Sequence, residues 1–220
     1  MPCPPRHRLI ALTACIALSA LTTDASADEV QNPIAERFHD ANVEESPSFQ
    51  RHVLPLMGRL GCNGRACHGS FQGQGGFRLS LFGYDFKTDH DALHENGRVD
   101  TDDPDDSLII FKPTDEDEHE GGERYAKESW EYHVFRRWIE DGAKNDGEAV
   151  GVLDRLEVLP AEIVFKNEKD TVQLQVIAHW SDGTREDVTP ICRFQSNDDA
   201  VAEVTTDGQV CCKGKGDTHL

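Results

Sequence analysis

The hydrophobic period of this chain changes once, near Leu153, and that change limits what the chain can fold into. Before it, apolar residues recur at helical spacing. Phe49, Val53, Leu56, Met57 and Leu60 follow Pro47-Ser48 and predict a helix over 48–61, interrupted by Pro55. Tyr132, Phe135, Trp138 and Ile139 repeat behind a capping Ser129, and Gly142 closes that second helix. After Leu153 the apolar residues come in short segments: Val158-Leu159 before Pro160, then Val172, Leu174 and Val176, then Ala178 and Trp180. Ser181-Asp182-Gly183-Thr184 reads as a hairpin turn, and further short strands are predicted around Val188, Ile191–Phe194, Val201–Val204 and Val210–Cys212. The expected fold class is α + β in two domains. A small all-α unit spans 48–146, a linker follows, and an antiparallel β-sandwich covers 153–220.

The N-terminus has the pattern of an export signal. Arg6 and Arg8 precede the apolar run Leu9–Leu21, and Ala25-Ser26-Ala27 has the small-x-small form of a cleavage site. A signal peptide over 1–27 is predicted, cleaved after Ala27, with the product periplasmic or at the cell surface. Leu12-Thr13-Ala14-Cys15 is a weak match to a lipoprotein signal, because the apolar run continues past Cys15. No other segment is long and apolar enough to predict a transmembrane helix. Residues 28–47 read as a polar, flexible lead-in. Acids outnumber bases 41 to 22, a net charge of −19 that argues against a nucleic-acid partner. Aromatic residues make up only 7% of the chain, so the helical unit is expected to need a cofactor, metal or partner to complete its core.

The chemistry is concentrated in Cys62-x4-Cys67-His68. Three readings fit it. A c-type haem needs two thiols to bond its vinyl groups and a histidine directly after the second thiol to face the iron. The usual spacer is two residues; four would have to bulge, as Gly64 would allow. A Cys62–Cys67 disulfide is the second reading, and a zinc site using both thiols and His68 is the third, though it lacks a second cysteine pair.

Residues 52–146 resemble the planctomycete-type cytochrome c domain. The resemblance is carried by LGCNGRACHG at 60–69, GGFRLSLFGYD at 75–85, DPDDSLIIFKP at 103–113, HEGGERY at 119–125 and SWEYHVFRRWIEDGA at 129–143. It implies one covalent haem c on Cys62 and Cys67, with His68 as the proximal iron ligand and the four-residue spacer as a family habit. His119 stands where related single-domain cytochromes place the distal methionine, and is the expected distal ligand. His90 and His94, spaced i, i+4, are the fallback. Met57 comes too soon before Cys62 to reach the distal face. His39 and His52 read as solvated, and His133 as exposed or half-buried.

Residues 153–220 resemble a bacterial Ig-like group 2 domain, through SDGTREDVT at 181–189 and the V-A-x-V-x-x-x-G-x-V spacing from Val201 to Val210. Family members usually continue into further downstream domains. This chain stops within what would be the closing strands, so the sandwich is expected to be incomplete. Cys192 and Cys212 are a candidate disulfide, with two buried thiols the equal alternative. Trp180 and Phe194 are expected in the core.

The resemblance implies a one-electron carrier with a redox protein partner whose docking face is basic. Histidine in place of methionine on the iron implies a low potential. A haem peroxidase would need an open iron position, and no Ser-His-Asp, phosphate-loop or H-E-x-x-H pattern suggests another enzyme. The acids from Asp100 to Asp106 read as a solvated loop, with a calcium site or a docking face as alternatives. The contrasting reading is a non-redox interaction protein with a structural Cys62–Cys67 disulfide.

Overall fold

The computed structural model describes residues 29–147 and 150–220, so the expected signal peptide and its cleavage site lie outside the described residues. Helices and antiparallel sheets are both present, as an α + β chain requires. Among the described residues, no helix is long and apolar enough to cross a membrane.

The helical part is built from short elements: α1 (Ile34–Arg37), α2 (Leu54–Arg59), α3 (Phe86–Leu93), α4 (Leu108–Phe111) and α5 (Trp130–Glu140). α5 starts where the Ser129 hydroxyl accepts the Tyr132 N–H, and it ends before Gly142, whose φ of +92° suits glycine. Its apolar face buries Tyr132, Phe135, Trp138 and Ile139. The helix expected over 48–61 is two pieces. A π-helical turn, Phe49–Val53, runs into α2, and Pro55 falls in the first turn of α2, where no N–H is needed. Phe49 stacks on Trp138 with centroids 5.5 Å apart.

The β part has two sheets. In the first, the order is β1-β5-β4-β2, with β1 Val30–Gln31, β2 Leu153–Leu159, β4 Gln175–Trp180 and β5 Arg185–Asp187. β4 pairs antiparallel with β2 and β5, while β1 runs parallel to β5. The second sheet has the order β3-β7-β6, all antiparallel, from β3 Thr171–Gln173, β6 Ala202–Val204 and β7 Gln209–Cys212. Between β3 and β4 the chain passes from the second sheet to the first through one residue, buried Leu174. The strand expected over Ile191–Phe194 is absent. A 3₁₀ turn at Thr189–Ile191 contains Pro190, which cannot donate to a ladder, and irregular backbone follows.

Three sequence expectations are corrected by packing. The residues expected as a flexible lead-in form β1 and α1, and Ile34 and Phe38 are both 0% exposed. His52 is buried: it accepts the Ser48 N–H at Nδ1 and donates from Nε2 to the Glu186 carboxylate at 2.8 Å. His133 is buried against the Phe38 carbonyl. The main hydrophobic cluster joins Phe38, Val53, Leu56 and Trp138 to Val176, Ala178, Val188 and Ile191, so it runs across from the helical part to the first sheet. A smaller cluster of Leu174, Ala202 and Val210 serves the second sheet. Polar contacts cross the same boundary. Arg37 bridges Glu45 and Glu186, and Arg51 pairs with Asp182 at 2.5 Å while its guanidinium lies 4.4 Å from the Trp180 ring centre.

Candidate functional site

The loop after α2 brings Cys62, Cys67 and His68 together through backbone bonds. The Cys62 N–H donates to Met57, the Cys67 N–H to Gly64 and the His68 N–H to Cys62, at 2.9, 3.0 and 2.9 Å. The freedom expected at Gly64 is supplied by its neighbours. Gly61 adopts φ +84°, and a Cβ at Gly69 would lie 2.0 Å from the Asn63 carbonyl oxygen. The four-residue spacer is therefore closed by two tight turns, with the His68 backbone N–H bonded back to the first cysteine's carbonyl.

His68 is oriented by backbone. Its Nδ1 lies 3.2 Å from the Gln74 carbonyl and 3.1 Å from that of Phe77, and its ring packs on Phe77 with centroids 4.6 Å apart. Nδ1 therefore carries the proton, and Nε2 presents its lone pair. His119 repeats the arrangement from the loop between α4 and α5. Its Nδ1 lies 2.9 Å from the Gly122 carbonyl, in a turn closed by the Gly122 N–H on the His119 carbonyl at 2.7 Å. A Cβ at Gly121 would come within 2.8 Å of the His119 ring. The His68 and His119 ring centroids are 6.4 Å apart with planes inclined by 26°. With both Nε2 atoms turned toward each other, that separation would leave room for one metal ion at bonds of about 2 Å.

Both thiols and both histidines line one cavity of about 710 Å³. Its apolar wall includes Met57, Phe77, Ile109, Tyr125 and Phe135. Arg98, Lys112 and Arg124 bring positive charge to it, and Glu118 and Glu120 bring negative charge. The residues of the 100–106 loop do not line it. Asp100 accepts the N–H groups of Asp102 and Asp103, and Asp105 holds Tyr132 and Arg136. Arg98 is buried, donates to the Ala92, Glu95 and Gly76 carbonyls, and sits 4.6 Å from the Phe77 ring centre.

Burial shapes the titration of these groups. It pushes the Cys62 thiol up to about 11, against a smaller opposing effect of Arg124. It also holds His68 below the usual histidine range, more than offsetting the two carbonyl bonds, with His119 and Arg98 acting in the same direction as burial. A neutral His68 is the form that ligates a metal.

No protein-family model matches this chain, and no curated protein is significantly similar to it. The site's chemistry therefore has to be read from its own residues.

Cys62 and Cys67 are both free thiols, as are Cys192, Cys211 and Cys212. Among the described residues, no three His, Cys, Asp or Glu side chains converge as a metal site. Neither Cys62, Cys67 and His68 nor the 100–106 acids form such a cluster.

His90 and His94, the fallback pair, do not line the cavity. Both turn from α3 toward the Ala143 carbonyl. The sequence reading missed Arg98, Phe77, Lys112 and Tyr125. They lie far apart along the chain, and only the closure of the loops on α5 brings them to one wall.

Proposed function

We propose that residues 48–146 bind one covalent haem c and carry single electrons, as a planctomycete-type cytochrome c domain. The reading rests chiefly on one observation: His68 and His119 are each tied at Nδ1 by a backbone carbonyl, and stand 6.4 Å apart beside Cys62 and Cys67. Cys62 and Cys67 would attach the group, and His68 and His119 would hold its iron. Arg98, Lys112 and Arg124 are the cations available to its carboxylates. When bound, haem supplies a reversible one-electron couple.

The residues of this chain do the rest. The carbonyls of Gln74, Phe77 and Gly122 fix both tautomers, which orients the rings and raises their donor strength. Phe77, Ile109, Tyr125 and Phe135 would keep water from the bound group. Two imidazole ligands would favour a low potential.

In the same proposal, residues 153–220 are an Ig-like module that spaces or docks the carrier. The chain is exported, and its acidity suits a basic redox partner.

The test is to express the chain with a cytochrome c maturation system and record its absorption spectrum and intact mass. A Soret band, sharp reduced α and β bands and the mass of one covalent haem support the reading. A colourless protein lighter by two hydrogens, with Cys62 linked to Cys67, replaces it with the interaction-module reading.

A further inference from the structure

α3 carries a pair of histidines that the proposed haem site does not use. Asp85 caps this helix by accepting the Thr88 N–H at 3.0 Å, and His90 and His94 follow on one face, one turn apart. His90 is half-buried and His94 is exposed. The two Nε2 atoms are 3.2 Å apart, and each also faces the Ala143 carbonyl oxygen, at 2.8 Å for His90 and 3.0 Å for His94. Phe49 abuts the His90 ring edge-on at 5.1 Å between centroids, and Trp138 lies 6.2 Å from His90 and 6.4 Å from His94.

We propose that His90 Nε2, His94 Nε2 and the Ala143 carbonyl oxygen form a site for one divalent transition-metal ion, distinct from the cavity that holds Cys62, Cys67, His68 and His119. The three donors form a triangle with edges of 3.2, 2.8 and 3.0 Å. Around an ion with bonds of about 2.0–2.1 Å and angles between octahedral and tetrahedral, neighbouring donors stand about 2.8–3.4 Å apart. The triangle therefore has the dimensions of one face of a coordination shell.

Donor chemistry sets the class of ion. Imidazole nitrogen with one carbonyl oxygen suits zinc, nickel or copper and not calcium or magnesium, which prefer oxygen alone. The backbone is committed to the arrangement. Ala143 adopts φ +47°, rare for a residue with a Cβ, and is locked by its N–H on the Trp138 carbonyl at 2.9 Å and by its full burial. Exposed His94 leaves one side open to solvent, so water fills the remaining positions and the ion has a path in. Only two of the donors are side chains of the metal-binding types, which is why no three-residue cluster marks the site. A bound ion would tie α3 to the segment that follows α5.

The experiment is calorimetric titration of Zn²⁺ into the tag-free full chain, isolated as exported, with the absorption spectrum recorded in parallel. The expected result is one ion bound at this site. His90→Gln and His94→Gln should each weaken it at least about tenfold, because even the outer partners of metal ligands are worth 10–100-fold in affinity. His39→Gln, a change at an exposed histidine beside Asp40, should leave it unchanged. Cu²⁺ should quench tryptophan fluorescence in the wild type and not in His94→Gln, since Trp138 is adjacent. No bound zinc in the wild type overturns the proposal. So does zinc binding that survives both substitutions at full affinity. A change in the visible spectrum on His94→Gln overturns it as well, by assigning this pair to the coloured group.

Discussion

His119 and Glu186 are the residues whose neighbours make the sharpest demands. If His119 holds the iron beside His68, His119→Ala should convert a low-spin ferric spectrum to a high-spin one. An unchanged low-spin spectrum excludes it. If both histidines hold the iron, a redox titration of the wild type should give a potential well below that of methionine-ligated cytochromes.

Glu186 is buried, with its carboxylate between His52 and Arg37. Burial alone would raise its pKa. The hydrogen bond from His52 and the charges of His52, Arg37 and Arg51 outweigh that effect and hold it below its ordinary 4.5. A carboxyl with a lowered folded pKa contributes stability that is complete above its unfolded value and is lost as pH falls through the folded one. Glu186→Gln should therefore cost about 3–5 kcal/mol near neutrality, the loss expected when one partner of a buried ion pair is removed. The difference from wild type should shrink below about pH 4. Urea midpoints for both proteins across that range would measure it, and a pH-independent difference would show that the carboxylate's charge has no part in the contact.

At the scale of elements, β1 and α1 matter more than their size suggests. β1 adds a parallel edge to β5, and α1 with the residue after it buries Ile34 and Phe38 completely while Arg37 reaches Glu186. Phe38→Ala should destabilise the whole chain by about 3–5 kcal/mol, the usual cost of deleting a buried aromatic ring. Denaturant unfolding followed by tryptophan fluorescence would show it, and a loss within about 0.5 kcal/mol would mean that α1 is a surface attachment.

The same elements show where sequence pattern failed. Residues 28–47 are polar on average, and two apolar anchors in a polar stretch do not register as periodicity. The Ile191–Phe194 segment has strand-like residues, but Pro190 and the 3₁₀ turn remove it from the ladder. α5 was legible because its cap, its apolar spacing and its glycine stop agree with one another.

At the scale of the molecule, the helical part and the first sheet share one hydrophobic cluster, and Arg51–Asp182 and Arg59–Asp207 tie the parts along their edges. Unfolding of the two parts should therefore be coupled. The helical part also surrounds a cavity of about 710 Å³, space that its own side chains leave unfilled. If Cys62 and Cys67 hold a haem there, the Cys62→Ser, Cys67→Ser double variant should lose cooperative packing around the cavity. A thermal transition as sharp as that of the wild type would contradict a structural role for the proposed cofactor.

The sequence by itself determined the α5 helix and the β4–β5 turn at Ser181–Thr184, because these depend on neighbours within a few residues. It also singled out Cys62, Cys67 and His68, whose chemistry is local to one loop, and proposed His119. Only the tertiary structure decided which histidines meet. It brings His119 opposite His68, turns His90 and His94 to Ala143, and buries His52 on Glu186. Each of those outcomes depends on residues from distant parts of the chain, and no local pattern encodes where a loop closes on a helix packed from elsewhere.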